Sequence, residues 1–475
     1  MRRFSYYGLA LLVFALGIWL TLEQGRKLQS PAPAVASPAS GVAGVEPSAS
    51  LLENLGENLQ DPLPRLFVQL ILIILAARLC GALAGMVRQP AVVGEMIAGI
   101  LLGPSLLGWA WPDFFHFVFP ANSLGALRLF SQIGVCLFMF VVGMELELPQ
   151  LKQQARTAVL VSQASILFPF LLGMACALYL FPAFAGPGTT FPAFALFIGV
   201  SMSITAFPVL ARILEERGLT KSPLGVTALI CAAMNDVSAW CILALVVAIA
   251  KARSMASAEF SIGLVVLFVV VMLWWVKPRL PRWLDRMAPG GIVPGNGVMA
   301  GVVAFVFASA LATDLMGIHA LFGSFLAGVV MPARNGFREF LRLRLEHFSS
   351  VFLLPLFFAF VGLRTQFGLL SDTNGWLICA GLIGLATVGK LGGAMFTARL
   401  TGVGWVDSFA LGALMNTRGL VELIALNIGY DLGILSPRIF AMLVIMALVT
   451  TCMTGPLLTF SEYLRARKRL ATTPA

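Results

Sequence analysis

Residues 201–208, Ser201-Met202-Ser203-Ile204-Thr205-Ala206-Phe207-Pro208, place three hydroxyls and a proline in the middle of an otherwise apolar run. Proline removes a backbone donor, and hydroxyls can take up the carbonyls it frees, so a helix read through this stretch breaks there. A second stretch, Met415-Asn416-Thr417-Arg418-Gly419, interrupts another apolar run in the same manner. Inside a bilayer such breaks are tolerated only where protein or a water cavity surrounds them.

That a bilayer is the setting follows from composition. Of 475 residues, 59% are hydrophobic and only 11% charged, against about a quarter charged in soluble domains. A crossing helix needs roughly 20 apolar residues, and no long alternating pattern points to a barrel. The chain therefore reads as an all-α polytopic membrane protein of about thirteen helices: 63–87, 90–108, 123–144, 154–182, 192–215, 221–250, 259–276, 296–313, 316–331, 347–366, 375–399, 404–430 and 436–461. The breaks fall in the fifth and twelfth spans. An offset of seven is odd, so the two run in opposite directions, which is the signature of an inverted repeat with its site at the midplane. By the same offset the sixth span answers the thirteenth and the fourth the eleventh.

The flanks differ in character. Residues 1–22 hold Met1-Arg2-Arg3 and a short apolar run, as a signal peptide or N-terminal anchor would. Residues 23–62 are rich in Pro, Ala and Ser and read as a linker. The transmembrane core would then span 63–461, followed by a short basic tail at 462–475. The net charge of +10 sits in KQQAR, RILEERGLTK, KPRLPRWLDR, PARNGFREFLRLR and RARKRL. All are read as loops or tail on one side, which the positive-inside rule makes cytoplasmic, in a bacterial inner or plasma membrane. Lys251 and Arg253 are the main exceptions on the other side. This distribution explains the charge without nucleic acid. The seven cysteines and three histidines are scattered without ligand spacing, so neither a cofactor nor a resident metal is expected.

The charges inside the spans carry the chemistry. In AAMNDVSAW, 232–240, Asp236 stands midway along the sixth span, where an ionised carboxylate costs roughly 2.5–3.5 kcal/mol even on the lower scales. A proton or a cation offsets that cost, and alternation between the two is the minimal machine for cation–proton exchange. Asn235 beside it offers a neutral carbonyl oxygen. The fifth span offers freed carbonyls around Ser203 to Ala206 and the Thr205 hydroxyl; simple back-bonding in a Pro-kinked helix is the bland alternative for Thr205. Lys390, in VGKLGG, can neutralise Asp236, donate to carbonyls at the crossing, carry a proton, or snorkel to the surface. Arg418 and Glu422 stand four apart and share a helix face, as a pair bracing the break would. Glu95 in the second span is a possible accessory acid, or a partner for Arg364 or Arg418.

Five ordered stretches, PAVVGEMIAGILLGPSLLG, SMSITAFPVLARIL, AAMNDVSAW, GIHALFGSFLAGVVMP and MNTRGLVELIALNIG, resemble those of the monovalent cation/proton antiporters. The similarity is to the branch with the plant cation/proton exchangers and bacterial sodium/proton or potassium/proton antiporters. The resemblance implies thirteen helices in core and dimerisation domains, a homodimer, and elevator-like alternating access. It makes Asp236 the ion-binding acid, Asn235 its neighbour, Thr205 a residue of the helix crossing and Lys390 the membrane lysine. Electrogenic relatives carry a second Asp where this chain has Asn235, so one acid fits one-for-one, electroneutral exchange better than their two-proton cycle, with a proton from Lys390 as the open alternative. No fused nucleotide-binding domain is expected either. Exchange of Na⁺ or K⁺ for H⁺ is thus the leading expectation, with a channel-like potassium-efflux system of the same fold as the alternative. An intramembrane enzyme would need a second catalytic Asp or a metal site, and the sequence offers neither.

Overall fold

The computed structural model describes residues 61–472 apart from 88, 146–154, 252–254, 288–294, 318 and 333–335. The expected signal or anchor at 1–22, and nearly all of the linker expected at 23–62, lie outside the described residues. Among the described residues the chain is helical throughout, with no strand and one isolated bridge, Ala185 to Leu435.

Ten of the described helices are long and apolar enough to cross a membrane, eleven with the bent pair Trp405–Met415 and Leu420–Asp431 counted as one. Two shorter apolar helices, Ala320–Val329 and Val351–Arg364, stand where the ninth and tenth spans are expected. Several segments read as loops are helical. Lys277–Met287 is one: Leu280 is buried and Trp283 half-buried, while Arg279, Arg282 and Arg286 line the exposed face. It runs on without a break from Met255, so the seventh span continues as helix beyond the end of its apolar run, which is why composition alone hid it. Phe337–Phe348 is a second, and the last span continues through the basic tail as Pro437–Thr472.

The helices fall into two sets by packing. The first contains α1 (Pro62–Met86), α2 (Ala91–Leu102), α3 (Leu124–Glu145), then α10 (Asn296–Leu315), α11 (Ala320–Val329) and α13 (Leu354–Arg364). The second contains α4 (Ala155–Phe184), α5 (Phe191–Ser203), α6 (Phe207–Glu216), α7 (Pro223–Lys251), α14 (Thr373–Thr387), α15 (Gly393–Leu400), α16 (Trp405–Met415), α17 (Leu420–Asp431) and α18 (Pro437–Thr472). Of the remaining helices, α8 (Met255–Val270) packs on α7, while α9 (Lys277–Met287) packs on α10 and α12 (Phe337–Phe348) on α3 of the first set. Helix-on-helix packing is dense within each set and sparse between them. Within the first set, α2 and α13 cross at Gly99 and Gly362, where a Cβ on either would strike the other backbone. Membrane helices lack a hydrophobic drive toward one another and associate through such close small-residue contacts.

Local signals place α7, which carries Asp236. Ser222 caps it by accepting from the Gly225 amide at 3.0 Å, and Pro223 occupies its first position. Both are standard helix starts, the hydroxyl serving a free N–H and the proline having none to serve.

Candidate ion-binding site

The fifth span breaks after Ser203 and resumes at Phe207, and the twelfth breaks after Met415 and resumes at Leu420. Every helix end leaves its last four carbonyls without intrahelical donors. For α5 those are Val200, Ser201, Met202 and Ser203, and each has a donor. The Ser203 hydroxyl serves Val200 at 2.9 Å. Arg418 serves Ser201 through Nη1 and Met202 through Nη2, both at 2.7 Å, and Lys390 Nζ donates to Ser203. The Arg418 guanidinium and the Lys390 amine therefore both sit at the negative end of the α5 dipole, where positive charge is favoured. The end of α16 is closed differently, by its own turn and by the Thr205 hydroxyl, which donates to Met415 at 3.0 Å.

The two breaks also bond to each other, Ala206 N–H to Thr417 O at 3.1 Å. Thr451 on α18 braces the second break, accepting from Arg418 N–H at 3.1 Å and donating to Arg418 O at 2.9 Å. Gly419 then turns the chain into α17 at φ +157°, ψ −132°, a region essentially closed to other residues.

Asp236 is buried at the start of α6, and its Oδ2 accepts from Phe207 N–H at 3.4 Å. The positive end of a half-helix thus faces the carboxylate. Asn235 is turned to bracing: Oδ1 accepts from Thr205 N–H at 2.9 Å, and Nδ2 donates to Ser165 Oγ at 3.0 Å. Lys390 is wholly buried and donates to Ser165 O as well as Ser203 O, so it does not snorkel. It lies in a π-helical turn, Val388–Gly392, a local irregularity frequent at functional sites.

The structure thus brings Asp236, Asn235, Thr205, Ser203, Lys390, Arg418 and Glu422 to one crossing. Arg418 pairs with Glu422 at 2.9 Å, both fully buried. The Thr205 hydroxyl does not back-bond in its own helix but reaches across to α16. The Ser203 hydroxyl does back-bond, and its carbonyl is taken by Lys390. Among the described residues, nothing donates a hydrogen bond to the Ile204 or Thr205 carbonyl. Glu95 stays outside this crossing. It is buried on α2, its charged neighbours are Arg78 and Arg212, and Arg364 instead pairs with Asp431. Sequence reasoning missed Ser165 and Thr451. Their signal was present in hydroxyls set three apart within apolar spans, Ser162 with Ser165 and Thr451 with Thr454.

A cavity of about 600 Å³ approaches this crossing from the end of the bundle that carries the basic segments. Arg212, Glu215 and Arg342 line it, as do Pro208, Val209 and Leu420, so it reaches the residue after Phe207, which donates to Asp236. Toward the opposite end, Trp240, one turn beyond Asp236 on α7, meets Phe322 edge-on at 5.2 Å and stacks on Phe325 at 6.1 Å.

Residues 72–461 match the model of the transmembrane sodium/hydrogen exchanger family. The chain belongs to that family. It is 42% identical over 393 residues to the Na⁺/H⁺ antiporter NhaS4 of Synechocystis, covering 82% of this chain and 96% of that one. It is 39% identical to cation/H⁺ antiporter 17 of Arabidopsis thaliana and 33% to K⁺/H⁺ antiporter 1 of Saccharomyces cerevisiae, over 85% and 87% of this chain. The chain spans about half the length of those plant and yeast relatives, 49% of each. The fold matches that of the sodium/proton antiporter MjNhaP1 of Methanocaldococcus jannaschii with a TM-score of 0.57 at 15% identity, over 84% of this chain and 97% of that one. The antiporter fold implied by the resemblance is therefore the fold observed, and the chain is a multi-pass membrane protein.

Proposed function

We propose that this exchanger-family protein is a secondary antiporter that swaps a monovalent cation, Na⁺ or K⁺, for protons, with Asp236 binding the two in alternation. The observation that carries the reading is the placement of Asp236: a buried carboxylate, at the positive end of α6, beside the floor of a one-sided cavity. A hard cation needs oxygen ligands, and Asp236 Oδ1 and Oδ2 with the Ile204 and Thr205 carbonyls supply them. Asn235, Lys390, Arg418 and Glu422 hold the crossing around that ligand set. In this reading Asn235 positions the backbone rather than ligating, since both ends of its amide are engaged.

Lys390 donates to two carbonyls and acts as a brace, which leaves Asp236 as the exchanging acid and favours one-for-one, electroneutral transport. The site opens to the two sides in turn as the second helix set slides against the first, in a homodimer. The basic end and the C-terminus face the cytoplasm of a bacterial inner membrane. Transport is the whole activity; no bond is made or broken.

The test uses reconstituted vesicles holding a preformed proton gradient and a pH-reporting dye. Adding Na⁺ or K⁺ collapses the gradient in the wild type, and Asp236→Asn abolishes the response; an unchanged response in the variant sinks the assignment. Proton and cation compete, so the cation Km rises as the pH falls, toward about tenfold per pH unit once the acid is mostly protonated. Current that persists without a proton gradient and ignores pH would instead identify the channel-like alternative.

A further inference from the structure

At the end of the bundle opposite the cavity, three charges from both helix sets converge. Asp431, the last residue of α17 in the second set, accepts from Arg364 Nη1 at 2.7 Å and from Arg128 Nη2 at 3.1 Å. Both arginines belong to the first set, on α13 and α3. Arg364 Nη1 also donates to Asn427 of α17 at 3.1 Å, and its guanidinium lies over the Phe360 ring at 4.1 Å. We infer that Asp431, clasped by Arg364 and Arg128, is a positioning residue of the transport cycle: the clasp closes this face and sets how readily Asp236 becomes reachable from it. The inference rests on the antiport reading above.

Four observations carry it. The clasp is a polar tie between two helix sets that otherwise pack sparsely, so relative sliding must break it. Beneath it, Asp431 and Asn427 line a cavity of only about 30 Å³, against about 600 Å³ on the other side of Asp236. With two guanidiniums for one carboxylate, the clasp repels a cation approaching this face. Finally, α17 is twelve residues long with the second break at one end and Asp431 at the other. A displacement of Asp431 is therefore transmitted along a rigid rod to the crossing.

Its strength suits the role. The side chains of Asp431, Arg364 and Arg128 are 21%, 17% and 45% exposed. Water screens pairs so placed, and they are worth little individually. The clasp can therefore open within each cycle, whereas the buried Arg418–Glu422 pair cannot.

The test measures reach directly and does not depend on turnover. In the full chain with its cysteines replaced, Ile424→Cys, on α17 beneath the clasp, is labelled with a membrane-impermeant maleimide applied to the opposite face. Asp431→Asn is expected to speed labelling at least threefold, and Arg364→Gln with Arg128→Gln to do the same from the other partner. The charge exchange Asp431→Arg with Arg364→Asp should restore the slow rate. Equal labelling rates in all variants overturn the inference. Sided transport gives a second readout: in vesicles of known orientation, Asp431→Asn lowers the cation Km from the opposite face and raises it from the basic face. An equal fall in activity from both faces, with no Km split, means a structural role and overturns the inference too. Loss of transport in the wild type would refute the antiport reading alone, since the labelling comparison still decides the clasp.

Discussion

Asn235 and Asp236 are neighbours in sequence with opposite duties, and the geometry shows why one cannot replace the other. The Asn235 amide donates and accepts at once, to Ser165 and from Thr205. Alanine there leaves the Thr205 amide without its partner in a dry interior, at about 1–3 kcal/mol; thermal unfolding in detergent should fall accordingly, with transport reduced. Aspartate keeps the acceptor for Thr205, and the Ser165 hydroxyl can turn to donate. Asn235→Asp therefore should fold, add a second acid beside Asp236, and make transport respond to a potassium diffusion potential that leaves the wild type indifferent. Measuring flux with and without that potential decides it. Asp236 and Lys390 were legible in the sequence because a charge in an apolar span is conspicuous. The bracing use of Asn235 was not, because its partners Thr205 and Ser165 lie 30 and 70 residues away.

At the scale of the element, the two breaks share a design but not a means of closure. Lys390, Arg418 and its own Ser203 hydroxyl close α5, while α16 closes on its own turn and one hydroxyl from outside. Arg418 is thus the most demanding residue of the crossing, serving Ser201, Met202 and Glu422 together. Arg418→Met leaves the Glu422 carboxylate buried and unpaired, a loss of about 3–5 kcal/mol, and should unfold or fail to accumulate. Arg418→Lys keeps the charge but not the planar fork that reaches both carbonyls, and should be intermediate in thermal stability. Gly419→Ala places a methyl against Val209 in a backbone region reserved for glycine, and should also destabilise. The pairing of Arg418 with Glu422 was readable from their spacing. The carbonyl caps were not, since nothing local in the sequence says which distant helix end an arginine will serve. Boundaries slipped for a related reason: Lys277–Met287 extends the helix that begins at Met255 and buries Leu280, a continuation that the end of the apolar run conceals.

For the molecule as a whole, two helix sets joined by an apolar seam and a screened ionic clasp predict sliding. A short thiol-reactive linker joining Arg364→Cys to Asp431→Cys should stop transport, and a cleavable version should release it when reduced; undiminished flux in the linked protein would refute motion between the sets. The division into sets was expected from resemblance, yet periodicity could not have revealed it, because spans in both sets are equally apolar. The capped end of α5 also bears on how the chain is made. Lys390 and Arg418 follow their carbonyl partners by 187 to 217 residues. At about 5–20 residues per second, a ribosome needs roughly 10–40 s to deliver them. Through that interval the nascent first repeat holds a broken helix in the bilayer with its final carbonyls still awaiting their donors. Biogenesis therefore has a vulnerable window in which water, lipid headgroups or an insertase must shelter that end, and chains truncated before Lys390 should be degraded rather than retained.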